Sequence, residues 1–322
     1  MKKRIAVVAG GYSEEALVSL KSADMIMNNI DRDSYDPILV TIDSTSWEAQ
    51  FEDQKIAIDK NDFSFSMGKK KITFDGVFII VHGTPGENGI LQGYFDLICM
   101  PYTTGDVFNM SLTFNKAACN DLLRNCGYNT AKNVLLRKND NYSSSEIVGK
   151  LGLPIFVKPN QGGSSIATAK VTEKEAIHKA IDSAFTADDA VILEEFIGGK
   201  EYTVGVIMKE GELLALPVTE IISHSEFFDY EAKYEGKSDE ITPADMPENQ
   251  RDEIQQISKE LYTLLDCRGM IRVDFLMNKK NPFIIEVNTV PGFSEASIIP
   301  QQGEACGISK TELISLVIES CF

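Results

Sequence analysis

The sequence predicts an α/β amino-terminal unit followed by two α+β units. Three observations predict it: an apolar run leading through a glycine turn into helical spacing, short apolar strands alternating with helical stretches, and long runs of alternating polarity beyond residue 200. The 322 residues are 43% hydrophobic and 25% charged, enough for more than one packed core.

The elements follow in order. Ile5 to Val8 read as a buried strand, Gly10-Gly11-Tyr12-Ser13 as a turn, and apolar residues at 16, 20, 23, 27 and 30 as one face of a helix. Strands over 38–42 and 77–81 extend a mostly parallel sheet, and the first unit, 1–104, closes there. In the second unit, 105–197, the spacing predicts helices over 111–126, 143–151 and 173–185 and strands at 134–136, 155–157 and 191–193. The third unit, 198–322, opens with antiparallel strands over 201–209 and 212–219. A polar, aromatic loop over 223–245, long enough to serve as a lid, then precedes a helix over 248–265.

Composition excludes several roles. Forty-eight acids against 31 bases give a formal charge of −17, which repels nucleic acid and anionic membranes and makes an anionic substrate depend on a local cluster of cations. No apolar run is long enough for a membrane span or a signal-peptide core, so a cytoplasmic protein is expected. The six cysteines contain no C-x-x-C pair and are expected to be reduced packing residues.

The sharpest chemical signal lies in Met270–Phe275 and Pro282–Asn288. Strand alternation sends Ile271, Val273, Phe275, Ile285 and Val287 to one face and Arg272, Asp274, Glu286 and Asn288 to the other. A hairpin through Lys279-Lys280-Asn281 sets Asp274 opposite Glu286 and Arg272 opposite Asn288. Two opposed acids need a cation between them, and hard oxygen donors favour magnesium that keeps positions open for phosphate. Arg272 beside it suits a developing oxyanion or acyl phosphate. The plainer reading is a solvated face laced with charge pairs, which would mix in Lys and Thr.

Pro154–Ser165 carries a strand that delivers Lys158 beside a Gly162-Gly163-Ser164-Ser165 loop. Glycine-rich backbone can approach an anion closely and the lysine adds charge, so triphosphate is the fitting ligand; the spacing is not that of a P-loop. Val191–Glu201 is a buried strand running into a connector, where backbone groups could meet an adenine edge between apolar walls from Phe196 and Ile197; taken in isolation, a mere hinge is the better reading. The Gly10-Gly11 turn lacks G-x-G-x-x-G, and its acid, Glu15, suits an ammonium group or a helix N-terminus better than a pyrophosphate. His82 and Glu87 sit in a strand-end loop, Val81–Gly89, and look exposed, as an active-site edge or a cap.

Taken in order, Gly10-Gly11-x-Ser13-x-Glu15, His82-Gly83-x-x-Gly86-Glu87-x-Gly89-x-Leu91-Gln92-Gly93, Lys116, Lys158-Pro159, Gly163-Ser164-Ser165, Lys233-Tyr234, Arg272-x-Asp274 and Glu286-x-Asn288-Thr289-x-Pro291-Gly292 resemble the D-alanine:D-alanine ligases across nearly the whole chain. The resemblance implies a three-part ATP-grasp fold whose two α+β units clasp ATP, two Mg2+ ions (Mn2+ as a possible substitute) on Asp274, Glu286 and Asn288, and a D-alanyl phosphate intermediate. It implies that Lys116, Lys158 and Lys233 neutralise phosphates, with Ser165 and Phe227 also at the nucleotide. Glu194, Glu195, Phe196 and Ile197 would hold adenine and Glu201 the ribose. Glu15 would bind the first ammonium, with His82 near its carboxylate. Arg272 and the amide of Gly292 would hold the oxyanion, and Ser297 with Ile298 the second carboxylate. Tyr234 would reach Ser164 and through it Glu15. Family habit adds a homodimer, with D-alanine and ATP as the small-molecule partners.

Departures from the pattern fall at Ala16-Leu17-Val18, Gly162, Glu195 and Ala296. A D-lactate-using ligase would change the 226–236 stretch, and a non-catalytic nucleotide-binding protein would lose Arg272 or Asn288, both of which are present.

Overall fold

The structure, a computed structural model, describes residues 2–163, 166–223 and 238–322. Strand β1 (Lys3–Gly10) is buried over its last six residues and lies at the heart of a sheet. Around it stand β2 (Tyr35–Ile42), β3 (Trp47–Phe51), β4 (Gln54–Ala57) and β7 (Gly76–Ile79), in the order β4-β3-β2-β1-β7. β1 runs parallel to both β2 and β7. The outer pairings are antiparallel, so the sheet is mixed rather than mostly parallel. The reason is local: Asp43 Oδ1 accepts from the amides of Thr45 and Ser46, both at 2.7 Å, closing a turn too tight for a crossover. A small hairpin of β5 (Phe65–Met67) and β6 (Lys70–Ile72) follows.

Helix α1 (Ala16–Asn29) turns Ser19, Ser22, Ala23 and Ile26 inward, so two of its inward positions are hydroxyls that apolar spacing does not see. Ser19 Oγ accepts from Gly10 N at 2.9 Å and donates to the Ile80 carbonyl at 2.6 Å, tying the helix to the strand ends. Gly10 is a glycine by necessity: its φ is +100°, and a Cβ would stand 2.4 Å from the Ile42 carbonyl oxygen.

After α2 (Ile90–Leu97), the helix expected over 111–126 is two helices, α3 (Val107–Phe114) and α4 (Lys116–Asn125). Asn115 leaves helical geometry between them, and its side chain caps α4 by accepting from Ala118 N at 3.1 Å. Next come β8 (Asn133–Arg137), α5 (Ser144–Leu151), β9 (Ile155–Pro159), β10 (Ala169–Val171), α6 (Ile177–Ala184) and β11 (Ala190–Glu195), whose strands form an antiparallel sheet in the order β10-β9-β11-β8.

The third sheet is built on β12 (Lys200–Lys209). The run expected over 212–219 is broken at Pro217, which has no amide for a ladder, into β13 (Glu212–Ala215) and β14 (Thr219–Ser223), both paired to β12. β15 (Ser238–Ile241) forms one edge. Beyond α7 (Glu248–Leu264) come β16 (Met270–Asn278) and β17 (Asn281–Asn288). Their hairpin pairs Arg272 with Asn288 and Asp274 with Glu286, as alternation predicts, and shifts register only beyond Asp274. Helices α8 (Ile298–Ala305) and α9 (Lys310–Glu319) close the fold.

No described helix is long and apolar enough to cross a membrane. All six cysteines are unpaired; Cys119 and Cys267 are buried as expected, whereas Cys99, Cys126 and Cys306 are exposed.

Candidate active site

A cleft of about 1180 Å³ opens where the three sheets meet. Into it the fold brings Glu15 from the amino-terminal unit, Lys116, Lys158 and the 194–197 connector from the middle, and Glu201, Asp274 and Glu286 from the last sheet. His82, Arg272, Asn288, Gly292, Ser297 and Ile298 do not line that cleft.

The β16–β17 face is held by a dense set of charge-assisted bonds. Arg272 grips Asp274 with two parallel contacts, Nε to Oδ1 at 2.8 Å and Nη2 to Oδ2 at 2.7 Å. Thr203, opposite Asp274 on β12, donates to Oδ1 at 2.6 Å, and Asn288 Nδ2 donates to Oδ2 at 3.0 Å. Glu286 pairs with Lys116 Nζ at 3.3 Å. Burial alone would lower the Lys116 pKa, but Glu286, Glu194 and Glu87 outweigh it and raise it, so Lys116 stays charged. The donor chemistry, two carboxylates and an amide oxygen, fits a hard divalent cation that keeps other positions for phosphate oxygens. Among the described residues no group of three or more His, Cys, Asp or Glu gathers around such a point, so an all-protein cage is not what this face offers.

Lys116 owes its place to the break at Asn115. Its amide donates to the Asn160 carbonyl at 3.0 Å and its Nζ to the Gly162 carbonyl at 2.8 Å, which ties α4 to the loop after β9. Lys158 meets Glu194 Oε2 at 2.6 Å across neighbouring strands, and Asn120 Nδ2 donates to Glu194 Oε1 at 2.9 Å. Phe156 and Phe196 face one another at 6.0 Å between ring centroids, giving an apolar wall beside the connector. Glu195 is engaged by Lys132, its carboxylate accepting from Lys132 N at 2.9 Å and pairing with Lys132 Nζ at 3.5 Å while its own amide donates to the Lys132 carbonyl at 3.0 Å. Ser164, Ser165, Phe227, Lys233 and Tyr234, with the central part of the expected lid, lie outside the described residues.

Glu15 is buried between two glycines. A Cβ on Gly163 would come within 2.7 Å of its Oε1, and one on Gly83 within 3.1 Å of its Oε2. The loop after β7 is not exposed as its sequence suggests. Glu87 accepts from Gly83 N at 2.6 Å, and burial, with the Glu15 charge behind it, pushes its carboxyl well above the usual range. His82 is buried too, and burial holds its pKa down at about 4. Its Nδ1 must donate to the Val290 carbonyl at 2.9 Å. Nε2 then accepts from Ser22 Oγ at 3.3 Å, and Ser22 itself accepts from Phe293 N at 3.1 Å. Both ring nitrogens serve the protein, so His82 supports the 290–293 segment from behind and has no donor left for a carboxylate.

That segment leads to Gly292, where a Cβ would stand 2.9 Å from Ser297 Oγ. Ser297 Oγ accepts from Ser294 N at 2.8 Å, and Ser297 and Ile298 open α8. Sequence reading overlooked Thr203 and Asn120, whose roles depend on which strand or helix lies opposite. Glu87 was visible as the acid of H-G-x-x-G-E.

Residues 4–105 match a family model described as the D-ala D-ala ligase N-terminus, and residues 122–319 one described as the D-ala D-ala ligase C-terminus. The chain is 43% identical over 324 residues to a D-alanine--D-alanine ligase of Phocaeicola vulgatus, covering 100% of both chains. It is 45% identical over 322 residues to one of Porphyromonas gingivalis, covering 99% of this chain and 98% of that one. Among solved structures, the VanG D-Ala:D-Ser ligase from Enterococcus faecalis superposes with a TM-score of 0.89 at 31% identity, covering 100% of both chains. The D-alanine-D-alanine ligase from Coxiella burnetii gives 0.88 at 28%, covering 99% of this chain and 94% of that one. With the opposed acids, the two cleft lysines and the glycine-walled Glu15 in one fold with these relatives, the chain belongs to the D-alanine:D-alanine ligase family of ATP-grasp enzymes.

Proposed function

We propose that the chain joins two D-alanines at the expense of ATP, releasing ADP and phosphate and supplying D-alanyl-D-alanine for peptidoglycan precursor. The observation that carries this reading is the meeting, in one cleft, of Asp274 and Glu286 in opposed register with Lys116 and Lys158. A carboxylate resists attack by an amine, so ATP first phosphorylates it; the acyl phosphate then carries a good leaving group.

In this reading Asp274, Glu286 and Asn288 would hold two Mg2+ ions, or Mn2+ in their place, which offset phosphate charge. Lys116 and Lys158 exchange their acid partners for phosphate oxygens, a swap that keeps both ammonium groups compensated. Glu194 to Ile197 cradle adenine and Glu201 takes the ribose. Glu15, confined by Gly83 and Gly163, binds the first ammonium. Arg272, already oriented by Asp274, and the Gly292 amide face the oxyanion, and the Ser297–Ile298 start of α8 takes the second carboxylate. A homodimer in the cytoplasm, with no nucleic-acid or membrane partner, completes the proposal.

Purified chain with ATP, Mg2+ and D-alanine should release phosphate and dipeptide in equal amounts. Phosphate without dipeptide, or neither product, overturns the reading.

A further inference from the structure

A polar bridge beside α8 belongs to none of the roles above. Gln301, in the first turn of that helix, uses one nitrogen twice: Nε2 donates to Glu240 Oε2 at 2.9 Å and to the Ala296 carbonyl at 3.2 Å. Ala296 directly precedes Ser297, and Glu240 sits on β15 at the edge of the third sheet. A carboxylate and a carbonyl thus converge on one N–H donor group, the acceptor set that an ammonium ion also seeks.

The surroundings favour that use. Glu240 is partly buried, and among the described residues no donor reaches its other oxygen. Burial pushes its carboxyl up, against the bond from Gln301 and the positive charge of Arg272. Gln302, one residue on, is fully buried and fixes the helix: its Oε1 accepts from Gly205 N at 2.9 Å, and its Nε2 donates to the Thr203 carbonyl and Thr219 Oγ1, both at 3.0 Å. The helix start is therefore rigid, and its amides favour a carboxylate. A zwitterion docked there needs a negative group near its other end, and Glu240 is in the same hydrogen-bonded cluster as the residue preceding Ser297.

We propose that Glu240 is a specificity-determining residue of the second-substrate site: its carboxylate receives the ammonium of the incoming amino acid while the start of α8 receives its carboxylate. The site thereby prefers an amino acid over a neutral hydroxy acid. This rests on the placement of the second carboxylate at Ser297 and Ile298 proposed above.

The test is dipeptide against depsipeptide formation by the full chain with ATP, Mg2+, D-alanine and D-lactate. Glu240→Gln should raise the Michaelis constant for the second D-alanine about tenfold, the equivalent of one lost charge contact, while that for ATP stays within about twofold. The depsipeptide share should rise, and Glu240→Asp should restore part of the amine preference. Gln301→Leu removes the bridge but leaves the carboxylate, and should keep the product ratio of the wild type. An unchanged ratio and second Michaelis constant in Glu240→Gln would sink the assignment. So would a Gln301→Leu variant that reproduces the Glu240→Gln effect, because the bridge would then be purely structural. Wild type that forms no dipeptide would overturn the functional reading itself, whereas normal dipeptide formation with an indifferent Glu240 overturns only this inference.

Discussion

Asp274 and Glu286 stand opposite one another yet do different structural work, and that separates what their variants should do. Asp274 is buried and holds Arg272, Thr203 and Asn288 together, so Asp274→Asn should lose ligation and also about 3 kcal/mol or more of stability, through a broken buried ion pair. Glu286 pairs with Lys116 and is more exposed than Asp274, so Glu286→Gln should cut turnover by at least about a hundredfold with a near-normal denaturant midpoint. Near-normal turnover in Glu286→Gln would remove the metal role. Lys158→Ala should raise the Michaelis constant for ATP far more than that for D-alanine; an effect confined to D-alanine would move Lys158 away from the nucleotide. His82 supplies a pH signature. Burial lowers its pKa to about 4 from the ordinary imidazole value of 6.5, so between those limits only the unfolded chain takes up the proton and stability falls as pH falls. Glu87 runs the opposite way, its raised carboxyl contributing stability at low pH that is lost as pH rises, so the His82 part must be read against a variant. His82→Gln should be less stable than wild type at pH 7 and close about 2 kcal/mol of that gap at pH 5, measured by urea unfolding. A gap independent of pH would mean that the ring is not held neutral.

At the level of elements, the break between α3 and α4 is what aims Lys116. Asn115 Oδ1 accepts from Ala118 N at 3.1 Å and from Asn160 Nδ2 at 2.9 Å, so one side chain caps a helix and anchors the loop beyond β9. Asn115→Ala should cost about 1 to 2 kcal/mol and raise the Michaelis constant for ATP through a misplaced Lys116; a loss of stability with unchanged ATP kinetics would show the lysine placed by other means. Sequence periodicity did not reveal this break, because Phe114, Ala117 and Cys119 continue an apolar pattern across it and an asparagine between helices reads as an ordinary helix position. The β16–β17 face was legible for the converse reason. Strict alternation over Ile271–Phe275 and Glu286–Asn288 fixes which side chains share a face, and it fails at Ile285: the register shift beyond Asp274 sets Phe275 opposite Ile284, so Ile284 is buried in the core and Ile285, expected there, lines the cleft instead. Alternation is blind, however, to the third strand: Thr203 reaches Asp274 only because β12 lies beside β16, a long-range pairing that no local pattern states. The loop carrying His82 misled in another way, since a Gly- and Pro-rich stretch reads as surface although Val290 and Glu15 bury it from elsewhere in the chain.

At the scale of the molecule, the amino-terminal unit does not own its core. Ile5 and Val7 of β1 and Ile26 of α1 share one buried cluster with Phe293, with Ile299 of α8 and with Leu313 and Ile314 of α9. The chain therefore returns to cover the sheet it began with, and His82 adds a hydrogen bond across the same junction. Separating the two would expose apolar surface on both sides, at roughly 25 cal/mol per Å². The cleft is walled by groups from every unit, so nucleotide binding should be felt by all of them together. Heating the full chain should give a single transition that MgATP moves upward as a whole, by about 2.7 kcal/mol of added stability at a nucleotide concentration of 100 times the dissociation constant. Lys158→Ala should erase most of that shift at the same concentration, because its affinity has fallen, while leaving one transition. Two resolved transitions, only the later of them moving with MgATP, would show that the amino-terminal unit melts on its own and that the shared cluster does not couple it to the nucleotide cleft.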